Sequence, residues 1–461
     1  VYPVPDLSNS ITLQEQCNGS LTGISLTSNV ANTTFTWSAY GSSGNLSGYS
    51  GNSGPGTILI NQTLVNSGYS IDTVTYRLLP TANGCPGDSI DYNVVIFPTP
   101  DLLTNPVVIS QCNNLQTNII LASHVDSTAF TWRAFASTAN ITGFSSNTGP
   151  ADTLIAQTLV NSGYTIDTVT YRLMPVANTC FGDSVDFKVA VYPTPDFSNN
   201  PAFQSQCNNQ ATAINLLSNV ANTAFTWTCT QTSGNITGWT ENPGPGATAI
   251  NQMLVLSGYV TDSVIYHLTP IANNCAGFVT NYTVIVNPIT ELTVSPLFDS
   301  ICSEGFTNIN LTSTVLGTEF TWAVAQGVGN ITGFSDGTGA LISQQLFNPD
   351  PVAGSVIYTI TPATTSCTGL DYTFTQWVKS LPHLSNLPKG DSICNNTSPN
   401  LTLTSDVLNS WFTWTAIGSS LNITGYSDQT TPTTLLNQPL INSGYVLEWV
   451  TYQVTPTAAG C

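Results

Sequence analysis

Apolar and polar residues alternate along short runs of this chain, and glycine, asparagine or proline closes each run. Ser10 to Gln16 and Gly23 to Val30 are two such runs, parted by Asn18, Gly19 and Ser20. Thr34 to Tyr40 sets Phe35 and Trp37 on one face and Thr36 and Ser38 on the other, the two-residue period of a strand. Thr57 to Val65, Asp72 to Pro80 and Ser89 to Phe97 follow, with Gly- and Asn-rich turns between them. No segment carries a capped 3.6-residue apolar period, so the pattern predicts strands and next to no helix.

The whole pattern then recurs. Phe-Thr-Trp places a tryptophan at Trp37, Trp132, Trp227, Trp322 and Trp414, at spacings of 95, 95, 95 and 92 residues. Val-x-Tyr places Tyr76, Tyr171, Tyr266, Tyr358 and Tyr452 at nearly the same intervals. A third landmark, Asn-(Ile/Leu)-(Ser/Thr)-Gly-aromatic, runs from Asn45 to Tyr49, Asn140 to Phe144, Asn235 to Trp239, Asn330 to Phe334 and Asn422 to Tyr426. So long a period exceeds a helical solenoid unit and equals one small domain. About seven strands per period, with Trp on the third and Tyr on the sixth, predict an all-β chain of tandem immunoglobulin-like β-sandwich domains. The Trp and Tyr series are the expected core markers.

Proline-rich joints set the boundaries. Pro3-Val4-Pro5-Asp6, Pro98-Thr99-Pro100-Asp101 and Pro193-Thr194-Pro195-Asp196 keep the period, and the later joints read Asn287-Pro288 and Leu381-Pro382. Residues 5–97, 98–192, 193–287, 288–379 and 380–461 are the five expected repeats, after a remnant at 1–4. Val1-Tyr2-Pro3 matches Val191-Tyr192-Pro193, the end of a last strand, and the fifth repeat lacks that strand. The sequence therefore reads as cut from a longer array. Proline fixes φ and biases its neighbour to extended backbone, so the joints should be semi-rigid and the array a rod.

Composition narrows the partners. Charged residues are only 7% of the 461, and the net charge of −19 leaves six cations, Arg77, Arg133, Arg172, Lys188, Lys379 and Lys389. Such scattered cations cannot neutralise phosphates, which argues against nucleic acid and anionic membrane. No apolar run approaches the length of a membrane span.

Ten of the eleven cysteines fall in two registers. Cys17, Cys112, Cys207, Cys302 and Cys394 close the first strand of each repeat; Cys85, Cys180, Cys275, Cys367 and Cys461 precede the last strand. An even number per repeat in a secreted chain implies disulfides. Pairing within a repeat (Cys17–Cys85 and its equivalents) is one solution. If strands alternate direction, however, those two turns lie a strand's length apart, on the order of 25–30 Å, while a bridge needs Cα atoms within about 7 Å. Pairing across the joints is favoured: Cys17–Cys180, Cys112–Cys275, Cys207–Cys367 and Cys302–Cys461, with Cys85 and Cys394 paired outside this stretch. Cys229 lies two after Trp227, where other repeats have Ala39, Ala134, Val324 and Ala416, and reads as a buried free thiol.

Catalysis finds no foothold, and neither a metal nor a cofactor is expected. Gly-x-Ser-x-Gly, phosphate loops and His-Glu-x-x-His are absent, and only His124, His267 and His383 are available. Asp88 with Asp91, and Asp183 with Asp186, suggest acid–base carboxylates or a calcium site, but a solvated turn is the better reading because the pair is lost in later repeats. The aromatic ending each Asn-φ-(Ser/Thr)-Gly run could stack on sugars; a periodic aromatic in a sandwich is more often core.

Phe-Thr-Trp-(Thr/Ser), a Gly-rich middle, Asn-Gln-x-Leu and Val-Thr-Tyr-x-(Leu/Val)-x-Pro-x-Ala-x-x-Cys together resemble the PKD-like, immunoglobulin-like repeats of Bacteroidota surface proteins. The resemblance covers all five repeats. The fourth departs most, with Gln345 and Leu346 shifted into a shorter loop and no Asn-Ser-Gly-Tyr turn. It implies giant adhesins of the gliding-motility (SprB-like) kind, exported by type IX secretion. It also implies O-glycosylation after Asp, which marks Thr73, Ser89, Ser127, Thr153, Thr168, Ser184, Ser263, Ser300 and Ser392; the plain alternative is that Asp-Ser and Asp-Thr begin strands. The expected role is the structural or adhesive repeat region of an extracellular filament on a bacterial cell surface. Its expected partners are neighbouring repeats, surface polysaccharide or other cells. A spacer stalk of a secreted hydrolase and a subunit of an extracellular matrix filament are the other readings; none makes the chain an enzyme.

Overall fold

A computed structural model describes the chain from Val1 to Cys461, the side chains of Pro55, Pro150 and Ala151 apart. Among the described residues every regular element is a strand. The first repeat holds β1 (Leu13–Cys17), β2 (Ile24–Ser25), β3 (Thr34–Gly41), β4 (Leu46–Ser47), β5 (Asn52–Thr57), β6 (Leu59–Ile60), β7 (Val65–Asn66), β8 (Asp72–Ala82), β9 (Cys85–Pro86) and β10 (Ile90–Phe97). One sheet runs β1-β10-β8-β3-β5, with β9 folded back on β8. The facing layer pairs β2 with β6 and β4 with β7. β1 lies parallel to β10, Leu13 opposite Asn93 and Cys17 opposite Phe97, so both strands finish at the end where the chain leaves the repeat.

Alternation decides what each strand buries. Phe35 and Trp37 of β3, Val74, Tyr76 and Leu78 of β8, and Tyr92, Val94 and Ile96 of β10 point inward onto Ile24, Leu26, Leu46, Ile60 and Leu64. Each such side chain withdrawn from water stabilises by about 1.5–3 kcal/mol. The second and third repeats repeat this core residue for residue, around Trp132 and Tyr171 and around Trp227 and Tyr266.

The wide inner layer needs polar groups, and one network satisfies them. Trp37 Nε1 donates to the Ser50 carbonyl at 3.0 Å, Gln62 Nε2 donates to the same carbonyl at 2.9 Å, and the Tyr76 hydroxyl donates to Gln62 Oε1 at 2.8 Å. Trp132, Gln157 and Tyr171 form the same triad, as do Trp227, Gln252 and Tyr266. Trp322, Gln344 and Tyr358, then Trp414, Gln438 and Tyr452, complete the series. In the fourth repeat the triad glutamine is Gln344, not Gln345, whose Nε2 instead donates to the Glu304 carbonyl. The shorter loop there keeps Gln-x-Leu in place and discards only the asparagine before it.

The strands differ from the sequence expectation in three ways. The run Gly23 to Val30 shortens to Ile24–Ser25, because Asp6 draws Ser28 and Asn29 into a tight turn. The Gly-rich stretch expected as a turn forms β5, whose pairing to β3 shifts register between Phe35 and Trp37. Thr57 to Val65, expected as one run, divides between the end of β5, β6 and β7. In the fifth repeat, which lacks a last strand as the sequence indicates, Val450–Thr457 has a partner on one side only. Tyr452 is consequently half-buried, unlike Tyr76, Tyr171, Tyr266 and Tyr358, which are fully enclosed.

Candidate functional site: the bridged joints

β1 and its counterparts carry a cysteine to the exit end of each of the first four repeats, where Cys112 sits opposite Tyr192, Cys207 opposite Asn287 and Cys302 opposite Lys379; Cys394 of the fifth, with no last strand to pair on, lies outside any strand. The hairpin after β8 carries the other cysteine to the entry end; in the second repeat Ala177 pairs with Cys180. The next domain's hairpin therefore meets the previous domain's exit end. Disulfides join Cys17 to Cys180 and Cys112 to Cys275, each with Cα atoms 5.6 Å apart, and Cys207 to Cys367 and Cys302 to Cys461, each at 5.7 Å. Every one spans a joint.

A glycine two residues after the hairpin cysteine makes room for this. A Cβ on Gly182 would lie 1.8 Å from the Pro100 carbonyl oxygen, and Gly87, Gly277 and Gly369 are pressed against Pro5, Pro195 and Thr290 in the same way. The hairpin thus packs flat on the incoming linker. The joint is closed around it: Cys180, Cys275 and Cys367 are buried, as are Pro98, Pro100, Pro193 and Pro288. Polar contacts add to the seal. Asn18 Nδ2 donates to Thr99 Oγ1 at 3.0 Å, Asn113 Nδ2 to Thr194 Oγ1 at 2.9 Å, and Lys379 Nζ to the Ala459 carbonyl at 3.0 Å. Tyr69 stacks on His124 across the first joint at 4.5 Å, while His124 Nδ1 lies 2.7 Å from Asp101 Oδ2.

Three cysteines stay unbridged: Cys85 is half-buried, Cys394 exposed and Cys229 buried. Burial, with the Glu241 carboxylate nearby, pushes the Cys229 thiol up to about 12, so it is no nucleophile at neutral pH.

The acidic pairs separate. Asp88 is exposed in a turn, whereas Asp91 lies on β10 and pairs with Arg77 of β8 at 2.8 Å; Asp186 pairs likewise with Arg172 at 2.7 Å. The guanidinium beside each carboxylate holds it below the usual range. Asp91 and Asp186 are thus cross-strand ion-pair partners and not turn residues. His267 takes the arginine's place in the third repeat and meets Asn281 at 2.7 Å. Among the described residues no group of three or more His, Cys, Asp or Glu is placed to hold a metal.

Tyr49, Phe144, Trp239 and Phe334, the aromatics of the Gly-aromatic runs, are half-buried against their cores, and Tyr426 is half-buried too. Of the serines and threonines after Asp, Ser89, Ser127, Thr153, Ser184 and Ser392 are exposed, while Thr73, Thr168, Ser263 and Ser300 are half-buried. Three of the aspartates have structural work: Asp72 accepts from Ser42 and Ser43 at 2.7 Å, Asp167 from Ser137 and Thr138, and Asp262 from Thr232 and Ser233.

A family model described as PKD-like domain matches residues 14–100, 109–195, 204–290, 299–382 and 391–461. No curated protein is significantly similar to the chain. Three-domain titin I67–I69 is similar at 12% identity over 61% of this chain and 98% of its own, with a TM-score of 0.33. The human desmocollin-1 ectodomain is similar at 10% identity over 99% and 97%, with a TM-score of 0.27. The eight N-terminal immunoglobulin domains of the Down syndrome cell adhesion molecule give 8% over 98% and 73%, with a TM-score of 0.29.

Proposed function

The chain belongs to the PKD-like domain family along five tandem copies, and we propose that it is the structural and adhesive shaft of an extracellular surface filament. The bridges across all four described joints carry this reading. They fit an oxidising, extracellular compartment, and they add a second covalent link at each joint, which a projecting shaft needs and a loose string of domains lacks. Among the described residues no helix is long and apolar enough to cross a membrane.

The finer reading is a giant adhesin of the gliding-motility kind on a Bacteroidota surface, exported by type IX secretion. What supports it is the signature shared by all five repeats, Phe-Thr-Trp through to Cys. Its contacts are to neighbouring repeats and, through the hydroxyl- and amide-rich outer faces, to surface polysaccharide or other cells. The reading assigns the chain no reaction.

Antibodies raised to the five repeats test it. They should label intact cells of the source organism, and deleting the repeats in frame should lower attachment to polysaccharide-coated glass. Labelling that needs permeabilised cells, or attachment untouched by the deletion, overturns the proposal.

A further inference from the structure

The order in which the bridges connect the repeats has a mechanical consequence. From Cys17 the covalent path crosses to Cys180, follows the last strand of the second repeat and the first of the third to Cys207, then crosses to Cys367. A second path leads from Cys85 to Cys112, across to Cys275, on to Cys302 and across to Cys461. In the second, third and fourth repeats the two paths lie side by side, because the first strand of one path is the parallel partner of the last strand of the other. Residues 113–179, 208–274 and 303–366, which hold the middle strands of those repeats, lie on neither path.

We propose that the array is a tension-bearing element with two interleaved covalent tracks, which keep the middle strands of the second and third repeats out of the line of pull. An unbridged sandwich that yields under load releases its whole length, about 95 residues or roughly 330 Å at about 3.5 Å per residue. Here the second or third repeat releases almost nothing. In the run Cys180–Cys207 the strands Cys180–Phe181, Val185–Tyr192 and Phe203–Cys207 are already extended, and Pro193, Pro195 and Pro201 stiffen the remainder. Loss of every hydrogen bond in those two repeats would leave the tracks nearly as long as before. The array therefore passes a pull from end to end instead of absorbing it. The inference rests on the bridges and is independent of what the shaft adheres to.

The number of covalent residues between Val1 and Cys461 makes it measurable. The shortest covalent route follows the first track from Val1 to Cys17 and from Cys180 to Cys207 and Cys367, then turns back through the fourth repeat to Cys302 and crosses to Cys461, about 112 of the 461 residues; the first and second tracks kept to their ends are each about 140. The oxidised chain, held by its two ends in an optical trap, should therefore reach a contour limit of about 390 Å, against about 1,600 Å after reduction and alkylation. Cys17→Ser with Cys180→Ser cuts the first track only; the second, through Val1–Cys112, Cys275–Cys302 and Cys461, should hold the limit to about 490 Å. Adding Cys112→Ser and Cys275→Ser cuts both; the shortest route is then Val1–Cys207, Cys367 back to Cys302, and Cys461, about 274 residues, and the limit should rise to about 960 Å. Contour length does not depend on whether a variant refolds. An oxidised chain that extends past about 390 Å, or a one-bridge variant that extends past about 490 Å, overturns the proposal.

Discussion

Gln157 is the smallest part on which a whole repeat depends. Its Oε1 accepts from the Tyr171 hydroxyl at 2.9 Å, and its Nε2 shares the Ser145 carbonyl with the Trp132 indole. Gln157→Leu keeps the volume but strands the fully buried tyrosine hydroxyl. It should destabilise the second repeat by about 1–3 kcal/mol, seen as faster hydrogen exchange in Asp167–Ala177 and not in the third repeat. Cys229 tests burial in the opposite sense. With its thiol pushed up to about 12, it should resist iodoacetamide at neutral pH in the native chain, while the exposed Cys394 reacts; mass spectrometry of the alkylated peptides reads both. The sequence pattern showed where these residues recur but not why. Asn-Gln-x-Leu is visible as a motif, yet the role of its glutamine needs the tyrosine from the sixth strand, 14 residues on, and the tryptophan from the third. That is also why Gln344, rather than Gln345, could be recognised only once Tyr358 was seen to meet it.

Single elements are fixed by close approach and by short-range hydrogen bonds. Gly182→Ala would set a methyl group within 1.8 Å of the Pro100 carbonyl oxygen, which neither backbone can vacate cheaply. The hairpin should lift from the linker and leave part of the Cys17 and Cys180 population as free thiols, countable by alkylation under denaturing, non-reducing conditions. A second device ties the first segment of a repeat to the turn after β2. Asp6 accepts from the Asn29 amide at 2.9 Å and from Ser28 Oγ at 2.8 Å, and these bonds hold its carboxyl below the usual 3.8. At Asp196 burial pushes the other way, but hydrogen bonds from Ser218 and Asn219 outweigh it. A depressed folded value means the contribution is complete above the unfolded value and is lost as pH falls through the folded one. Melting temperature should therefore be flat above about pH 5 and fall below about pH 4. Asp196→Asn should flatten that slope for the third repeat. The strong strands were legible from alternation, because one-sided burial imposes a period of two on Thr34–Gly41 and Asp72–Ala82. β5 was not, since Asn52–Thr57 reads as turn chemistry and pairs only because β3 offers it an edge.

At the scale of the whole molecule, cysteine connectivity separates domains linked twice at each joint from five independent beads. The direction of the strands already argues for it, because a parallel first and last strand put one cysteine at the exit end and the hairpin puts the other at the entry end. The packing that buries Cys180, Cys275 and Cys367 was beyond the sequence, for it depends on Cys-x-Gly hairpins lying flat on the linkers. The scarcity of cations makes the connectivity easy to read. Trypsin has six places to cut, after Arg77, Arg133, Arg172, Lys188, Lys379 and Lys389. With thiols alkylated first and no reductant, bridges across joints must yield peptide 1–77 bound to 173–188. They must also yield a three-peptide assembly of 78–133, 189–379 and 390–461, because Cys112–Cys275 and Cys302–Cys461 both enter the middle peptide. Peptides 134–172 and 380–389 come free. Bridges within repeats would instead join 1–77, 78–133 and 173–188 and release 390–461 alone. The free peptide 134–172 carries Thr153 and Thr168, so its mass also reports on glycosylation: a bare mass removes both positions, and a hexose-spaced ladder that is lost in the Thr153→Ala, Thr168→Ala variant assigns sugar to at least one of them.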